Sequence, residues 1–177
     1  MCDNVRQSCA SLGSTPGEAA TDRIAARDGM VRALDVARLA ASQGEVPVGA
    51  VVIGPEGTVI AQAGNEVEQR KDPSAHAEIL AMRAAAAVLG GRSLSHCTLV
   101  VTLEPCPMCA AAMVHFRLGK VIYGAYDPKG GGVDHGPRIF EQPACLHRPE
   151  VVGGLCEQEN ALLLKEFFRS LRTSRAL

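Results

Sequence analysis

Hydrophobic positions along the chain alternate between helical spacing and short apolar runs. Over residues 22–42 the apolar side chains recur at helical spacing with arginines between them, which predicts an amphipathic helix that ends before Gly44. Two apolar runs, 46–53 and 58–63, flank the turn sequence Gly-Pro-Glu-Gly and predict a β-hairpin.

The second half of the pattern predicts a strand, a helix and a strand in close succession. Residues 98–103 are apolar and largely β-branched, Pro105 suits the first position of a helix, and residues 120–125 form another apolar run. So short a connection implies a right-handed crossover between parallel strands, with the helix starting at the carboxyl end of the first strand. Residues 157–175 predict a final helix, and the whole pattern predicts an α/β domain.

Candidate chemistry lies at the starts of two predicted helices. His76 and Glu78 follow a turn sequence, Asp-Pro-Ser, and open an alanine-rich run over 75–89 with strong helix propensity. Cys106 and Cys109 lie three residues apart at the start of the helix after strand 98–103, where a helix N-terminus stabilises thiolates. Residues two apart on a helix do not share a face, so Glu78 can reach a water on a metal without coordinating the metal itself.

These four residues predict a catalytic zinc site. Alone, a C-x-x-C pair is often a redox pair or half of a structural zinc site, and a histidine near a helix start is usually an ordinary polar residue. Together they supply three protein ligands, whereas a structural zinc site uses four and leaves no coordination position for water. We therefore expect one Zn²⁺ held by His76, Cys106 and Cys109, with a catalytic water and Glu78 as proton carrier.

Size and composition favour one domain. The chain has 177 residues, of which 47% are hydrophobic, enough to bury one sizeable core. Residues 1–20 are rich in small and polar side chains, so we expect a disordered extension there and a single domain over 21–177. No apolar stretch approaches the roughly twenty residues that cross a bilayer, and the N-terminal residues do not show a basic segment followed by an apolar one; we expect a soluble, cytoplasmic protein with no membrane partner.

The formal net charge of −1 argues against a broad nucleic-acid-coating surface but allows a local basic patch. Such a patch lies in the last seventeen residues, where a single glutamate accompanies four cations on one helical stripe: Lys165, Arg169, Arg172 and Arg175. Judged by spacing alone, this stripe is better explained as a solvated helix face.

Longer phrases of the sequence resemble the bacterial tRNA adenosine deaminases, a branch of the cytidine-deaminase-like zinc enzymes. The pattern H-x-E followed by P-C-x-x-C is typical of zinc nucleobase deaminases in general. The more specific phrases are Glu-Val-Pro-Val-Gly-Ala-Val at 45–51, Val-Thr-Leu-Glu-Pro-Cys at 101–106, Tyr-Gly-Ala-Tyr-Asp-Pro-Lys-Gly at 123–130 and Phe-Phe-Arg at 167–169. The resemblance covers about residues 30–172, nearly the whole predicted domain.

The resemblance implies a three-layer α/β/α cytidine-deaminase-like fold with a central five-stranded mixed sheet. It also implies a homodimer in which both subunits contact a tRNA anticodon loop. Val48 would line the base pocket, Asn65 and the backbone of Ala77 would bind the flipped adenine, and Asp127 would lie beside the loop, where it can hydrogen-bond a ribose 2′-hydroxyl. The further RNA contacts implied by the resemblance are Phe167, Phe168 and Arg169.

The expected function is the hydrolytic deamination of the wobble adenosine in a tRNA anticodon loop to inosine. One alternative is a free-base or nucleoside deaminase acting on guanine, cytosine or cytidine, and the basic C-terminal helix speaks against it. Another is a noncatalytic zinc-stabilised RNA-binding subunit, and the intact Glu78 speaks against that. Glu66, at a position where the family commonly has a basic residue, and a long connection over 131–149 leave the choice of tRNA open.

Overall fold

The computed structural model describes residues 20–174, and their side chains from residue 24 to residue 173. The elements in chain order are α1 (Ala20–Ser42), β1 (Gly49–Ile53), β2 (Val59–Gly64), α2 (Val67–Arg70), α3 (Ala77–Val88), β3 (Thr98–Leu103), α4 (Pro107–His115), β4 (Lys120–Ala125), a 3₁₀ turn (Ile139–Glu141), β5 (Glu150–Val152) and α5 (Glu157–Ser174). The extension expected over 1–20 lies outside the described residues, apart from Ala20, which begins α1.

One mixed sheet contains the five strands in the order β2-β1-β3-β4-β5. β1 pairs antiparallel with both β2 and β3, while β3 with β4 and β4 with β5 pair parallel. The predicted hairpin and the predicted parallel crossover are both confirmed. The three residues of β5 are too short a run for the apolar pattern to predict them, because strand periodicity needs at least four residues to be visible.

Strand alternation divides the helices between the two faces of the sheet. Successive side chains of a strand point to opposite faces. Ala50 and Val52 of β1 belong to one core cluster together with residues of α3 and α4. Val51 and Ile53 belong to a second cluster with residues of α1, against which Leu163 of α5 also packs. The three-layer arrangement implied by the family resemblance is therefore confirmed, with α3 and α4 in one layer and α1 and α5 in the other.

The helices that carry the candidate ligands each begin two residues later than the pattern predicts. α4 begins at Pro107 rather than Pro105, and Cys106 is its N-cap, with φ −67° and ψ 167°. The reason is that the ring of Pro107 clashes with a helical residue before it, which favours the extended conformation seen at Cys106. His76 is likewise the extended N-cap of α3, with φ −73° and ψ 147°. Two of the three candidate ligands thus precede their helices, at adjoining ends of one layer.

None of the helices in the described part of the chain is long and apolar enough to cross a membrane.

Candidate active site

His76, Cys106 and Cys109 come together where α3 and α4 begin. Their ligand atoms lie within 4.8 Å of one another. His76 Nδ1 is 3.6 Å from Cys106 Sγ and 3.5 Å from Cys109 Sγ. One imidazole nitrogen and two sulfur atoms at this spacing form a donor set suited to Zn²⁺. Within residues 20–174 no other such group of His, Cys, Asp and Glu side chains is found.

The hydrogen bonds within this cluster favour a thiolate. The side chain of Cys109 hydrogen-bonds to Cys106 and lowers the pKa of Cys106 to about 4, and the contact with His76 acts in the same direction. The same hydrogen bond, together with burial, raises the pKa of Cys109. The bond to Cys106 also raises the pKa of His76. A cluster that stabilises negative charge on sulfur favours the binding of a divalent cation, since metals bind the thiolate form.

Glu78 lies beside the donor set without belonging to it. It is only 4% exposed, in the first turn of α3. Its side chain hydrogen-bonds to Cys109, and burial raises its pKa. A carboxyl group with a raised pKa next to a metal site can accept a proton and return it, which is the work of a general acid–base catalyst.

Asn65 links the end of the hairpin to the start of α3. Its side chain is 7% exposed, and its Oδ1 accepts the backbone N–H of Ala77 at 2.9 Å. The backbone N–H of Asn65 donates to the Val48 carbonyl at 3.1 Å. The structure therefore brings together Val48, Asn65 and Ala77, next to His76. It also shows that the Ala77 N–H already has a protein partner.

Comparisons with known proteins agree with this arrangement. Residues 25–125 match the family model for the cytidine and deoxycytidylate deaminase zinc-binding region. The chain is 49% identical over 143 residues to a tRNA-specific adenosine deaminase of Agrobacterium fabrum, an alignment that covers 81% of this chain and 93% of that protein.

Two solved structures extend the comparison. One, from a study of A-to-I editing by tRNA:A34 deaminases at the wobble position of transfer RNA, is similar with a TM-score of 0.76 and 48% identity, over 77% of this chain and 99% of that one. The other, a guanine deaminase from Bacillus subtilis, is similar with a TM-score of 0.53 and 39% identity, over 56% of this chain and 63% of that one.

The chain belongs to the tRNA-specific adenosine deaminase family. That family lies within the zinc-binding deaminases, which agrees with the donor set described above.

The remaining predicted substrate residues of this deaminase lie in two other places. Asp127 follows β4, and its Oδ1 accepts the backbone N–H groups of Lys129 at 3.1 Å and Gly130 at 3.0 Å. This carboxylate therefore has a turn-capping role that the sequence does not predict, and Oδ2 is the acceptor left for other donors.

The predicted aromatic and cationic contacts are on α5. The rings of Phe167 and Phe168 meet edge to face at 5.5 Å between centroids, and Phe168 is 43% exposed. Arg169 is exposed. α5 contacts β4, β3 and α1. It therefore lies in the layer opposite α3 and α4, and the structure does not bring these three residues into the metal cluster.

Sequence reasoning misses one buried charge next to the site. Glu104 lies between the apolar end of β3 and Pro105, and is 2% exposed. Burial would raise its pKa, but hydrogen bonds from Asp127 and His135 outweigh burial and lower it. A charged residue directly after a buried strand is the signal that could have drawn attention to it. Its partner His135 carries no such signal, because the two lie 31 residues apart.

Proposed function

We propose that this chain catalyses the zinc-dependent hydrolytic deamination of the wobble adenosine in a tRNA anticodon loop, forming inosine and ammonia. One observation carries the proposal: a buried carboxyl group, Glu78, lies against a His/Cys/Cys donor set in a chain that aligns over most of its length with a tRNA-specific adenosine deaminase.

His76 Nδ1, Cys106 Sγ and Cys109 Sγ would hold the zinc ion. Three protein ligands leave a position for water, and when bound the ion acts as a Lewis acid that makes this water a nucleophile at neutral pH. The donor set fits the ion for two reasons. Hydrogen bonds stabilise the Cys106 thiolate, and the His76 imidazole nitrogen lies less than 4 Å from both sulfur atoms.

Glu78 is the proposed proton carrier. It takes the first proton of the water as the oxygen adds to C6 of adenine and delivers it to ring N1; it then takes the second proton from the C6 hydroxyl and delivers it to the exocyclic amine. The C6–N bond then breaks and ammonia leaves. Water and adenosine are consumed, and inosine and ammonia are formed, so no further reactant is needed. Burial of Glu78 supports this role because it raises the pKa of the carboxyl group and so favours proton uptake.

The base pocket is proposed to use Val48 and Asn65. With its Oδ1 engaged by Ala77, Asn65 offers its Nδ2 amino group to a ring nitrogen of the purine. Ala77 then acts mainly by fixing the orientation of that amide. Asp127, Phe167, Phe168 and Arg169 are proposed to contact the rest of the anticodon loop, whose unstacked bases suit stacking on aromatic side chains.

A free-base deaminase is the second candidate, since a guanine deaminase shares part of this fold. Exposed cations on α5 favour RNA, because a free base has no phosphates for them to bind. We also propose that the enzyme acts as a homodimer, as the family resemblance implies. A tRNA substrate is the argument for a cytoplasmic location.

The test compares substrates with one zinc-loaded preparation. We expect inosine to form at the wobble position of an anticodon stem-loop RNA. We also expect ammonia release from free guanine, cytosine, adenosine and cytidine to stay at the background level of a Glu78→Ala sample. Rapid ammonia release from a free base, with no inosine in the stem-loop, would instead identify a free-base deaminase.

A further inference from the structure

A second structural centre lies around the side chain of Glu104, next to residues 105–107, which lead into α4 and which we call the zinc turn. This side chain is 0% exposed. Its Oε1 accepts the backbone N–H groups of Val133 at 3.3 Å, Asp134 at 2.9 Å and His135 at 2.9 Å. Its Oε2 accepts the backbone N–H of Asp127 at 3.0 Å and lies 2.7 Å from His135 Nδ1. One carboxylate thus accepts hydrogen bonds from both ends of the segment 126–135, which we call the post-β4 loop.

The post-β4 loop is also pressed against the backbone that carries the candidate ligands. Gly132 donates its N–H to the Pro105 carbonyl at 2.8 Å. A Cβ at Gly132 would lie 2.6 Å from the backbone nitrogen of Pro107, and one at Gly131 would lie 2.4 Å from Glu104 Oε1. A Cβ at Gly131 would also lie 2.6 Å from the Asp127 carbonyl oxygen, so only glycine fits at both positions. The loop therefore packs closely against the zinc turn, and the Glu104 side chain bonds to both ends of the loop.

The chemistry of this cluster requires a carboxylate. Five donor hydrogens converge on two oxygen atoms, and an ionised carboxylate has about four lone-pair sites and no donor of its own. A glutamine has one acceptor oxygen, so its amino group would face at least two of these N–H donors. Leaving a buried donor unpaired costs more free energy than the net value of a typical hydrogen bond.

We propose that Glu104, with His135 as its side-chain partner, is a positioning residue for RNA, acting through Asp127. Glu104 holds the Asp127 backbone beside the zinc turn, and the turn at Lys129 and Gly130 orients the Asp127 carboxylate through Oδ1. Oδ2 is left to accept a hydrogen bond from a ribose 2′-hydroxyl of the anticodon loop. This inference rests on the proposed function, since it assigns the contact to that substrate.

Binding is measured in the zinc-loaded Glu78→Ala background, so that the stem-loop RNA is not consumed. Glu104→Gln is expected to weaken stem-loop binding by roughly tenfold or more, the range for a lost hydrogen bond to a charged group. The deciding measurement is a double-mutant cycle with Asp127→Asn. If Glu104 acts through Asp127, then Glu104→Gln adds little once Asp127 is replaced. Equal factors in both backgrounds would overturn the proposal.

His135→Phe keeps the backbone N–H and a ring near Tyr126, whose centroid lies 5.9 Å from that of His135, and removes only the Nδ1 contact. It is a milder test if Glu104→Gln does not fold, and we expect a loss of roughly threefold or more that also disappears in the Asp127→Asn background. Persistence of the full loss there would equally overturn the proposal. The matched control is Glu141→Gln, an exposed carboxylate of the 3₁₀ turn, which should bind like the parent.

The two proposals fail differently. If the enzyme with Glu78 intact forms no inosine in the stem-loop, the proposed function is wrong. If it forms inosine but the cycle is additive, only the positioning role of Glu104 is wrong. Zinc content of each variant is measured alongside, because Glu104 is two residues from Cys106. A Glu104 or His135 variant with full zinc content counts against the proposal if it binds weakly and Asp127→Asn still weakens its binding by the same factor as in the parent.

Discussion

At the scale of single residues, Glu78 and Cys109 are hydrogen-bonded to each other but have different roles. The Cys109 sulfur is one of the three metal-ligand atoms, and the Cys109 side chain also hydrogen-bonds to the Glu78 side chain. This bond holds Glu78 beside the donor set, of which Glu78 is not a member. The H-x-E spacing accounts for this separation, because His76 precedes α3 as its N-cap while Glu78 lies inside the first turn.

We predict that Glu78→Ala keeps its zinc and its fold but loses about two to four orders of magnitude in the single-turnover rate. The change removes the proton carrier without removing a ligand, and that range is typical of general acid–base catalysis. Inosine formation, zinc content and thermal unfolding are measured on one sample. Glu68→Ala, an exposed carboxylate of α2, is the control and should react like the parent. Near-parental turnover by Glu78→Ala would remove Glu78 from the mechanism.

The candidate ligands and the Glu104 cluster differ in how far the sequence could predict them. His76, Cys106 and Cys109 stand out because their residue types and local spacing belong to zinc chemistry. Glu104 and His135 lie 31 residues apart, and four of the five donors to Glu104 are backbone N–H groups, which every residue but proline has. Such a contact depends on the path of the loop in space, so no local sequence pattern predicts it.

At the scale of elements, α5 combines an inner apolar side with an outer cationic side. Leu163 packs against the core cluster of α1, whereas Lys165, Arg169 and Arg172 are exposed. Exposure alone is equally consistent with a solvated helix face. Phe168, at 43% exposure beside Arg169, adds an aromatic surface that a purely solvated face does not need.

We predict that replacing Lys165, Arg169 and Arg172 with glutamine weakens stem-loop binding and flattens its salt dependence. Each lost phosphate contact on single-stranded RNA reduces the slope of log K against log salt by about 0.7, so the triple variant should lose up to about 2. The chemical step at saturating RNA should be unchanged, because α5 lies in the layer opposite α3 and α4.

The matched control is a triple replacement of exposed arginines on other parts of the molecule, Arg32, Arg83 and Arg92. It removes the same charge, so a loss of slope shared by both triples would reflect net charge rather than a footprint on α5. An unchanged slope in the α5 triple would leave the deaminase assignment standing and take this helix out of the RNA interface.

At the scale of the whole molecule, the sheet separates two cores and places the donor set at one layer's edge. Alternation along β1 sends Ala50 and Val52 to one core and Val51 and Ile53 to the other, and the βαβ rule predicts the direction of β4. The path from Asp127 to β5 could not be predicted in this way. That path contains positive φ at Gly136 and Arg138, and it depends on contacts with Glu104 and Pro105 that are distant along the chain.

The donor set joins the starts of α3 and α4 across 30 residues of chain, so metal binding should stabilise the whole fold. An ion that binds only the native state stabilises it by about 2.7 kcal/mol at one hundred times its dissociation constant. For a domain of this size, that corresponds to roughly 5–10 °C in Tm. We therefore predict that chelation lowers Tm by several degrees and abolishes inosine formation, and that added Zn²⁺ restores both.

Cysteine variants show whether this effect comes from the proposed ligands. Cys106→Ser should bind no stoichiometric zinc, and its Tm should not respond to chelator or to added Zn²⁺, because one of three ligands is gone. Cys97→Ala removes another free cysteine, buried at 2% exposure just before β3, and its Tm should still fall on chelation as the parent's does. Stoichiometric zinc retained by Cys106→Ser would contradict the ligand assignment. If chelator leaves the Tm of the parent unchanged, the fold does not depend on the metal. The packing of α3 and α4 on the sheet would then be enough to keep the two helix starts together.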